Sequence, residues 1–360
     1  MARRIIQRFL YALLVLWGVV TVVFLLFNVL PGDPARMLLG QRADLRSVEM
    51  IREELGLDKP LPLQYLKYLN DLSPLSVHRI NDQEDYFFLD REKYGNPAVL
   101  LNGARGLCLV LKAPYLGTSF QNRRQVSEMI LDVFPNTLIL AVTAILMASL
   151  LGIMVGILCA IRKDSWFDRL SIFLSTLGMS LPSFFSAILT GWFFAFVLAD
   201  FTGLNLTGNI TEIDPLGRGI RFQFKNLILP AVTLGIRPLS IFVQLTRNSF
   251  LDVLSQDYIR TAKAKGLSFS RIIGRHALRN ALNPLITAMS GWFASLMAGV
   301  VFVEYIFGWK GLGYLIVDAL NQYDMPVVLG SVLIIASVFI VINMLVDLVY
   351  AILDPRVRTA

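Results

Sequence analysis

Five stretches of this chain, 9–30, 133–161, 170–199, 280–303 and 325–346, contain no charged residue. Each is long enough to cross a bilayer as one helix, because a hydrocarbon core about 30 Å thick needs roughly 20 residues at about 1.5 Å of rise. A sixth run, 226–246, is interrupted by Arg237 followed by Pro238. It reads as a spanning helix with a kink, since proline removes one donor and bends a buried helix without abolishing it. Of 360 residues, 55% are hydrophobic and 16% charged, against about 45–50% and about 25% in soluble chains. The apolar surplus has to face lipid, which excludes a disordered chain, a collagen, a coiled coil and a disulfide-stapled scaffold. The expected fold class is therefore an all-α integral membrane protein with six transmembrane helices.

Lysine and arginine in the short loops give the orientation. Arg3, Arg4 and Arg8 precede the first run, and Arg162, Lys163 and Arg169 lie between the second and third. Seven basic residues follow the fourth run, and Arg356 and Arg358 follow the sixth. Six alternating helices put all of these on one side, so both termini are expected in the cytoplasm. Lys310 alone carries positive charge in the opposite short loop. The net charge of +7 is then a feature of topology, with no nucleic acid as partner. The run 9–30 is longer than the roughly 7–15 residues of a signal-peptide core and is read as a retained helix, residues 1–30 forming the first transmembrane segment. Cys108 lies in a polar stretch and Cys159 in an apolar one, and His78 and His276 are the only histidines. No metal-ligand spacing and no catalytic constellation follow from them.

Residues 31–132 are too polar to span and are expected to form a large extracytoplasmic loop. Leu45, Val48, Ile51 and Leu55 recur at helical spacing; Pro60 and Pro62 close that helix, and a second short one covers about 63–69. From 73 to 113 the chain turns charged and aromatic with Gly and Asn breaks, a small folded elaboration that serves either as a docking surface or as a cap on helix ends. Asn205-Leu206-Thr207 and Asn209-Ile210-Thr211 match the glycosylation tripeptide, a pattern common by chance. Gly152 and Gly156 form a small-residue pair of the kind that packs helices closely.

The segment 247–283 carries seven basic residues against two acidic ones, Asp252 and Asp257. Ile259, Ala262, Gly266, Phe269 and Ile273 share one face of an interrupted helix pair, with Gly266 as the break. Such an amphipathic segment either lies in the headgroup layer or inserts as a knob into a groove on a soluble partner.

Tyr258-Ile259-Arg260-Thr261-Ala262-Lys263-Ala264-Lys265-Gly266 resembles the coupling-loop signature of ABC-importer permeases, in the variant of the dipeptide/oligopeptide permeases. The general signature is Glu-Ala-Ala, three residues, then Gly, with Ile-x-Leu-Pro further on. This chain keeps Ala262 and Gly266 but has Arg260 and Thr261 at the first two positions, and Pro284 lies beyond the general spacing. Other segments resemble the same family in order: Leu30-Pro31-Gly32-Asp33-Pro34-Ala35, Leu55-Gly56-Leu57-Asp58-Lys59-Pro60, Leu116-Gly117-Thr118-Ser119-Phe120, Leu245-Thr246-Arg247, His276-Ala277-Leu278-Arg279-Asn280-Ala281, Val303-Glu304 with Phe307 and Gly311-Leu312-Gly313, and Leu353-Asp354-Pro355-Arg356. Only about 73–113 departs, as an insertion. The resemblance implies a type I ABC importer permease fold, with 133–353 as a core of five transmembrane helices and the cytoplasmic coupling loop 247–283. It implies a homologous second permease subunit, two ABC ATPase subunits, an extracytoplasmic substrate-binding protein and a place in the bacterial inner membrane. Tyr258–Gly266 would ride in a groove on one ATPase.

The chain has no G-x-x-x-x-G-K-[ST] phosphate loop, so it is expected to bind no cofactor and to be no enzyme; ATP and Mg belong to the partner ATPases. Arg237 either lines the translocation path, attracting the carboxylate terminus of a peptide, or pairs structurally with an acid of the second subunit or at a broken helix end. Glu304, Gly311 and Gly313 are read as an extracytoplasmic gate or docking element, or as a structural cap. A secondary transporter would need intramembrane carboxylates, and an intramembrane enzyme a nucleophile–base or metal set; the runs offer neither. The expected solutes are di- and oligopeptides, with nickel chelates or other small peptide-like solutes as alternatives.

Overall fold

The computed structural model describes residues 2–29, 44–54, 56–82, 85–103, 106–213 and 219–353. Leu30 to Ala35, Leu55, Asp354-Pro355-Arg356 and Arg358 lie outside the described residues. The chain divides into two compact units, Met1–Asp132 with Asp318–Ile334, and Val133–Val317 with Ile335–Ala360.

In the first unit, helix α1 (Ala2–Val29) is followed by α2 (Leu45–Glu54) and α3 (Leu61–Leu72). Pro60 lies just before α3 and Pro62 in its first turn, where a missing N–H costs nothing. Val20 and Val23 of α1 pack with Leu333 and against Tyr68, Leu69 and Leu72 of α3, and Thr21 Oγ1 and Tyr65 Oη share a hydrogen bond of 2.6 Å. Next come three strands, β1 (Leu75–Arg79), β2 (Ala98–Asn102) and β3 (Leu107–Leu111). They form an antiparallel sheet in the order β1-β3-β2, with Leu75 opposite Leu111 and a register shift in β2 between Val99 and Leu101. The all-α expectation is corrected here. Residues 73–113 alternate buried and exposed side chains in β1 and β3, a period of two that a helix cannot use. Leu89, Tyr94, Cys108 and Val110 fill this element's core, with Tyr115 against it.

One buried carboxylate ties that core to α3. Asp71 accepts the Tyr94 hydroxyl at 2.7 Å and Lys93 Nζ at 3.3 Å, while Lys67 Nζ stands 3.7 Å away. Lys112 Nζ donates to the Asp71 backbone carbonyl at 2.5 Å. Burial lowers the Lys112 ammonium to about 8, with Asp71 opposing the shift and Lys93 and Lys67 adding to it. Burial likewise pulls His78 down to about 4.

In the second unit α4 (Val126–Ile161), α5 (Trp166–Ser180), α6 (Ser183–Trp192) and α7 (Lys225–Leu254) lead to α8 (Asp257–Ala264). A short hairpin, β4 (Thr211–Ile213) with β5 (Ile220–Phe222), precedes α7. The chain continues through α9 (Asn283–Gly299), α10 (Val301–Ile306), α11 (Leu312–Asn321) and α12 (Met325–Leu353). Among the described residues four helices are long and apolar enough to cross a membrane: Ile6–Leu26, Val126–Ile161, Lys225–Leu254 and Met325–Val346. The third expected span is bent instead. Trp166–Ser180 and Ser183–Val197 meet at 114°, because Pro182 bars its predecessor from the helical region and Leu181 is extended (φ −76°, ψ 131°). The fifth expected span is divided at Val300 into α9 and α10. The fourth run, with Pro230 and Pro238 inside it, is one continuous helix.

Helix α7 is the most enclosed of these. Leu140, Ala144 and Ala148 of α4, Leu229, Leu234 and Phe242 of α7, and Leu285, Leu296 and Val303 share one apolar cluster with Trp309. Glycine sets the distance. A Cβ on Gly152 would lie 2.6 Å from Phe242 Cβ, one on Gly156 2.6 Å from Thr246 Cβ, and one on Gly178 2.6 Å from Ser240 Oγ.

A Gly156→Val substitution is expected to force α4 and α7 apart and to lower stability by about 1–3 kcal/mol, read as a fall in the melting temperature of the purified protein. The lysine cluster gives a pH dependence. From about pH 8, where folded Lys112 titrates, to 10.5, its ordinary value, the unfolded chain binds more protons than the folded one, so stability rises with pH across that window. Melting scans from pH 7.5 to 9.5, near this window, are expected to show the rise in the native chain and a smaller one in Lys112→Met.

Candidate functional site

The basic segment after α7 folds as one short helix with a defined end. In α8, Asp257 sits in the first turn and Lys263 in the last, each charge opposing the helix dipole. Its termination uses six-to-one and five-to-two hydrogen bonds: Leu267 N–H donates to the Ala262 carbonyl at 3.3 Å and Gly266 N–H to Lys263 at 3.0 Å. Gly266 adopts φ +74° with open space around its Cβ position, so glycine is there for the left-handed turn and not for room.

Ile259 and Ala262 point inward, packing with Ala160 at the end of α4 and Phe250 near the end of α7. Tyr258, Arg260, Thr261, Lys263, Ala264, Lys265 and Gly266 are exposed. Thus two of the nine residues singled out anchor the helix and seven face outward. Tyr258 is tied down as well, its hydroxyl accepting Asn280 Nδ2 at 3.0 Å. The face expected to run Ile259, Ala262, Gly266, Phe269, Ile273 is corrected in its second half. Phe269 is 51% exposed and Ile272 is buried in its place, because the left-handed turn at Gly266 resets the helical phase. The return passes through Phe269–Arg271, a π-helical stretch Ile272–Ala277 and Leu278–Ala281.

An ion pair that the sequence reading missed braces α7 one turn before its end. Arg247 Nε and Nη2 donate to the two oxygens of Asp168 at 2.6 and 2.7 Å, with side chains 15% and 2% exposed. Asp168 also accepts the Asp164 N–H at 3.0 Å, and Ser165 caps α5 by accepting the Asp168 N–H. Ser165-Trp166-Phe167-Asp168 has the spacing of a helix start, which flags the cap but not the arginine 79 positions away.

Glu304, Gly311 and Gly313 come together at a second locus. The Glu304 carboxylate is fully buried; it accepts Thr137 Oγ1 and Gly313 N–H, each at 2.7 Å, and Tyr314 N–H at 3.2 Å. Thr137 in turn accepts the Leu312 N–H at 2.8 Å, which commits its own proton to Glu304. A Cβ on Gly311 would collide with the Glu304 carboxylate, and one on Gly313 with the Val301 backbone. Beside them Trp309 Nε1 donates to the Asn136 carbonyl at 3.0 Å, and Asn136 Nδ2 returns a bond to Lys310 O at 2.7 Å. All three residues are enclosed, so they offer no surface of their own; they clamp the turn between α10 and α11 onto α4. Thr137 and Asn136 carried no sequence signal.

Arg237 lies on α7 with its side chain exposed, next to buried Pro238. Cys108 and Cys159 are both free and buried. Among the described residues no group of three or more His, Cys, Asp or Glu side chains is placed to hold a metal ion.

Two families match the chain: "Binding-protein-dependent transport system inner membrane component" over residues 152–359, and the N-terminal family of the same membrane components over residues 1–80. The chain is 34% identical over 358 residues to the glutathione transport system permease protein GsiC of Salmonella paratyphi A, covering 99% of each. It is 32% identical over 369 residues to the dipeptide transport system permease protein DppB of Alkalihalophilus pseudofirmus, covering 98% of each. A solved structure of the MetNI methionine ABC transporter in an inward-facing conformation aligns at a TM-score of 0.48 and 13% identity, covering 63% of this chain and 97% of that one.

Glu304→Gln keeps the shape of the side chain but turns an amide NH2 toward a donor on one side. It is expected to cost about 1–3 kcal/mol, the penalty of an unsatisfied buried polar group, measured as a lower melting temperature with the helical circular-dichroism signal unchanged.

Proposed function

Because the chain belongs to the binding-protein-dependent transport system inner membrane components, we propose that it is one of two homologous permease subunits that together form the path for di- and oligopeptides handed over by an extracytoplasmic binding protein. It is a multi-pass membrane permease of an ABC importer, not itself an enzyme, and peptide-like solutes agree with the glutathione and dipeptide permeases it resembles. Two ATPase subunits in the cytoplasm bind ATP and Mg, and this chain holds no cofactor.

The observation that carries the coupling role is the build of α8. A buried pair, Ile259 and Ala262, roots it at the ends of α4 and α7, while Arg260, Thr261, Lys263, Ala264 and Lys265 stand free of the chain. A helix rooted on one face and bare on the other suits a knob seated in a groove of an ATPase. When ATP closes the ATPase dimer, the knob moves with its groove and displaces α7, on which Arg247 and the glycine contacts bear. The path then alternates between outward- and inward-facing states.

Orientation follows the basic loops. α8 and both termini face the cytoplasm, in the bacterial inner membrane, and the loop after α1 and the Glu304 turn lie outside. The six crossings are the four long helices, the bent pair α5–α6 and the divided α9–α10. Exposed Leu146, Leu150 and Met154 of α4, four residues apart, face lipid. The clamp at Glu304 fixes the outer turn as a gate element beneath the binding protein. Arg237, a cation exposed within a spanning helix, lines the path and draws the carboxylate end of the peptide.

The test reconstitutes the complete importer in proteoliposomes with the double substitution Arg260→Glu and Lys263→Glu. Reversing two charges on a docking face is expected to cut ATP-driven tripeptide uptake by at least about tenfold and to release the ATPases during purification, with the melting temperature of the permease unchanged. Full uptake with the ATPases retained would refute the coupling role.

A further inference from the structure

The first unit holds a cavity of about 350 Å³ between α1, α3, the sheet element and the start of α12. Its walls include Tyr68, Tyr86 and Tyr115, with Lys67, Lys93 and Asp71 among them. The volume is that of a small-molecule pocket, which runs from about 300 to about 1,000 Å³, and too small for a folded partner.

The charges around it do not balance. Lys67, Lys93 and Lys112 converge on the single acid Asp71, whose carboxylate is already committed to the Tyr94 hydroxyl. The neighbouring acids are engaged elsewhere: Asp85 pairs with Arg79 at 2.5 Å and Asp58 with Lys59 at 2.7 Å. Instead of further carboxylates, the ammonium groups rest on aromatic rings, Lys67 at 5.7 Å from the Tyr86 centroid and Lys93 at 4.7 Å from Tyr115. A cation–aromatic contact replaces only part of the hydration lost, and burial holds Lys67 below its ordinary pKa. The Tyr68 hydroxyl is a second sign. It lines the cavity, is buried, and has no hydrogen-bond partner among the described residues, whereas buried polar atoms ordinarily have one.

Two surplus ammonium groups, an idle hydroxyl and tyrosine walls are complementary to an oxyanion on an organic body. We propose that this cavity binds the carboxylate end of a short peptide or peptide-like acid, with Lys67 and Lys93 facing the carboxylate, Tyr68 Oη donating to it, and Tyr86 and Tyr115 holding the apolar portion. The choice of a peptide rests on the function proposed above; the anion site itself rests on the cavity. A carboxylate with an aliphatic or aromatic neighbour fits this lining better than a free inorganic anion, which the tyrosine walls leave unsolvated.

The test uses the assembled transporter without its binding protein, in nanodiscs of neutral phosphatidylcholine, with isothermal titration of three probes: trialanine with a free C-terminus, trialanine amide and inorganic phosphate. Free trialanine is expected to bind, with the amide at least about tenfold weaker, since a desolvated ion pair is worth more than about 1.4 kcal/mol. Lys67→Met with Lys93→Gln is expected to abolish the difference. Lys93→Gln alone, at a half-exposed position, keeps the fold and is expected to weaken free trialanine severalfold while leaving the melting temperature in place. Equal binding of the two peptides, or binding unchanged in both variants, overturns the site. Phosphate binding as tightly as free trialanine overturns the carboxylate assignment and makes a phosphate, free or on a lipid headgroup, the occupant. Peptide uptake by the complete native importer separates the two readings: its absence undoes the proposed function, whereas its presence alongside failed binding undoes this site alone.

Discussion

The backbone of α7 runs against its neighbours with no side chain between them, and the rest of the second unit depends on that approach. Gly152, Gly156 and Gly178 each leave a gap that a methyl group would close. In lipid there is no aqueous hydrophobic effect to hold helices together, so packing contacts of this kind carry the association. They also let one helix serve several roles along its length. Exposed Arg237 lies midway, Arg247 is clamped to Asp168 one turn before the end, and Phe250 receives the inward face of α8.

Charge inside this fold is confined to places where it is fully engaged. Asp168 takes a two-pronged arginine, Glu304 takes a hydroxyl and two N–H groups, and Asp324 takes the Ser119 hydroxyl together with the Phe120 N–H at 3.0 Å. A buried carboxylate left unpaired is severely destabilising, and each of these three instead fastens segments distant in sequence. The lysine cluster around Asp71 departs from that pattern, with cations in excess of anions.

The uncharged runs 9–30, 133–161 and 325–346 read directly as helices, because lipid imposes one requirement on every residue of a span. The bend at Leu181–Pro182 was also written in the sequence: a residue before proline avoids the helical region, but a criterion that asked only for absence of charge passed over it. The division at Val300 had no such mark. It is fixed by Glu304 folding the turn back against Thr137, a contact across 167 positions. Gly311 and Gly313 announced close approach, and their partner, the Glu304 carboxylate, was among the residues singled out. Asp168 was not, since its meaning lies in Arg247. The sheet at 75–111 escaped because its strands are five residues long and its alternation is diluted by aromatic and charged residues. For α8 the hydrophobic period was legible as far as Gly266, and failed where a left-handed residue shifted the phase.

The closing geometry of α8 has a mechanical consequence. The segment is fastened at both ends, Tyr258 to Asn280 on entry and Leu267 to Ala262 on exit, and from below by two buried side chains. No slack remains between its bare face and the helices that root it. A push on that face is therefore neither absorbed by loop rearrangement nor delayed by refolding, and arrives at the root as a displacement of the same size. The component acts as a pushrod without backlash, and its stiffness, more than its affinity for any surface, sets how faithfully a stroke is delivered.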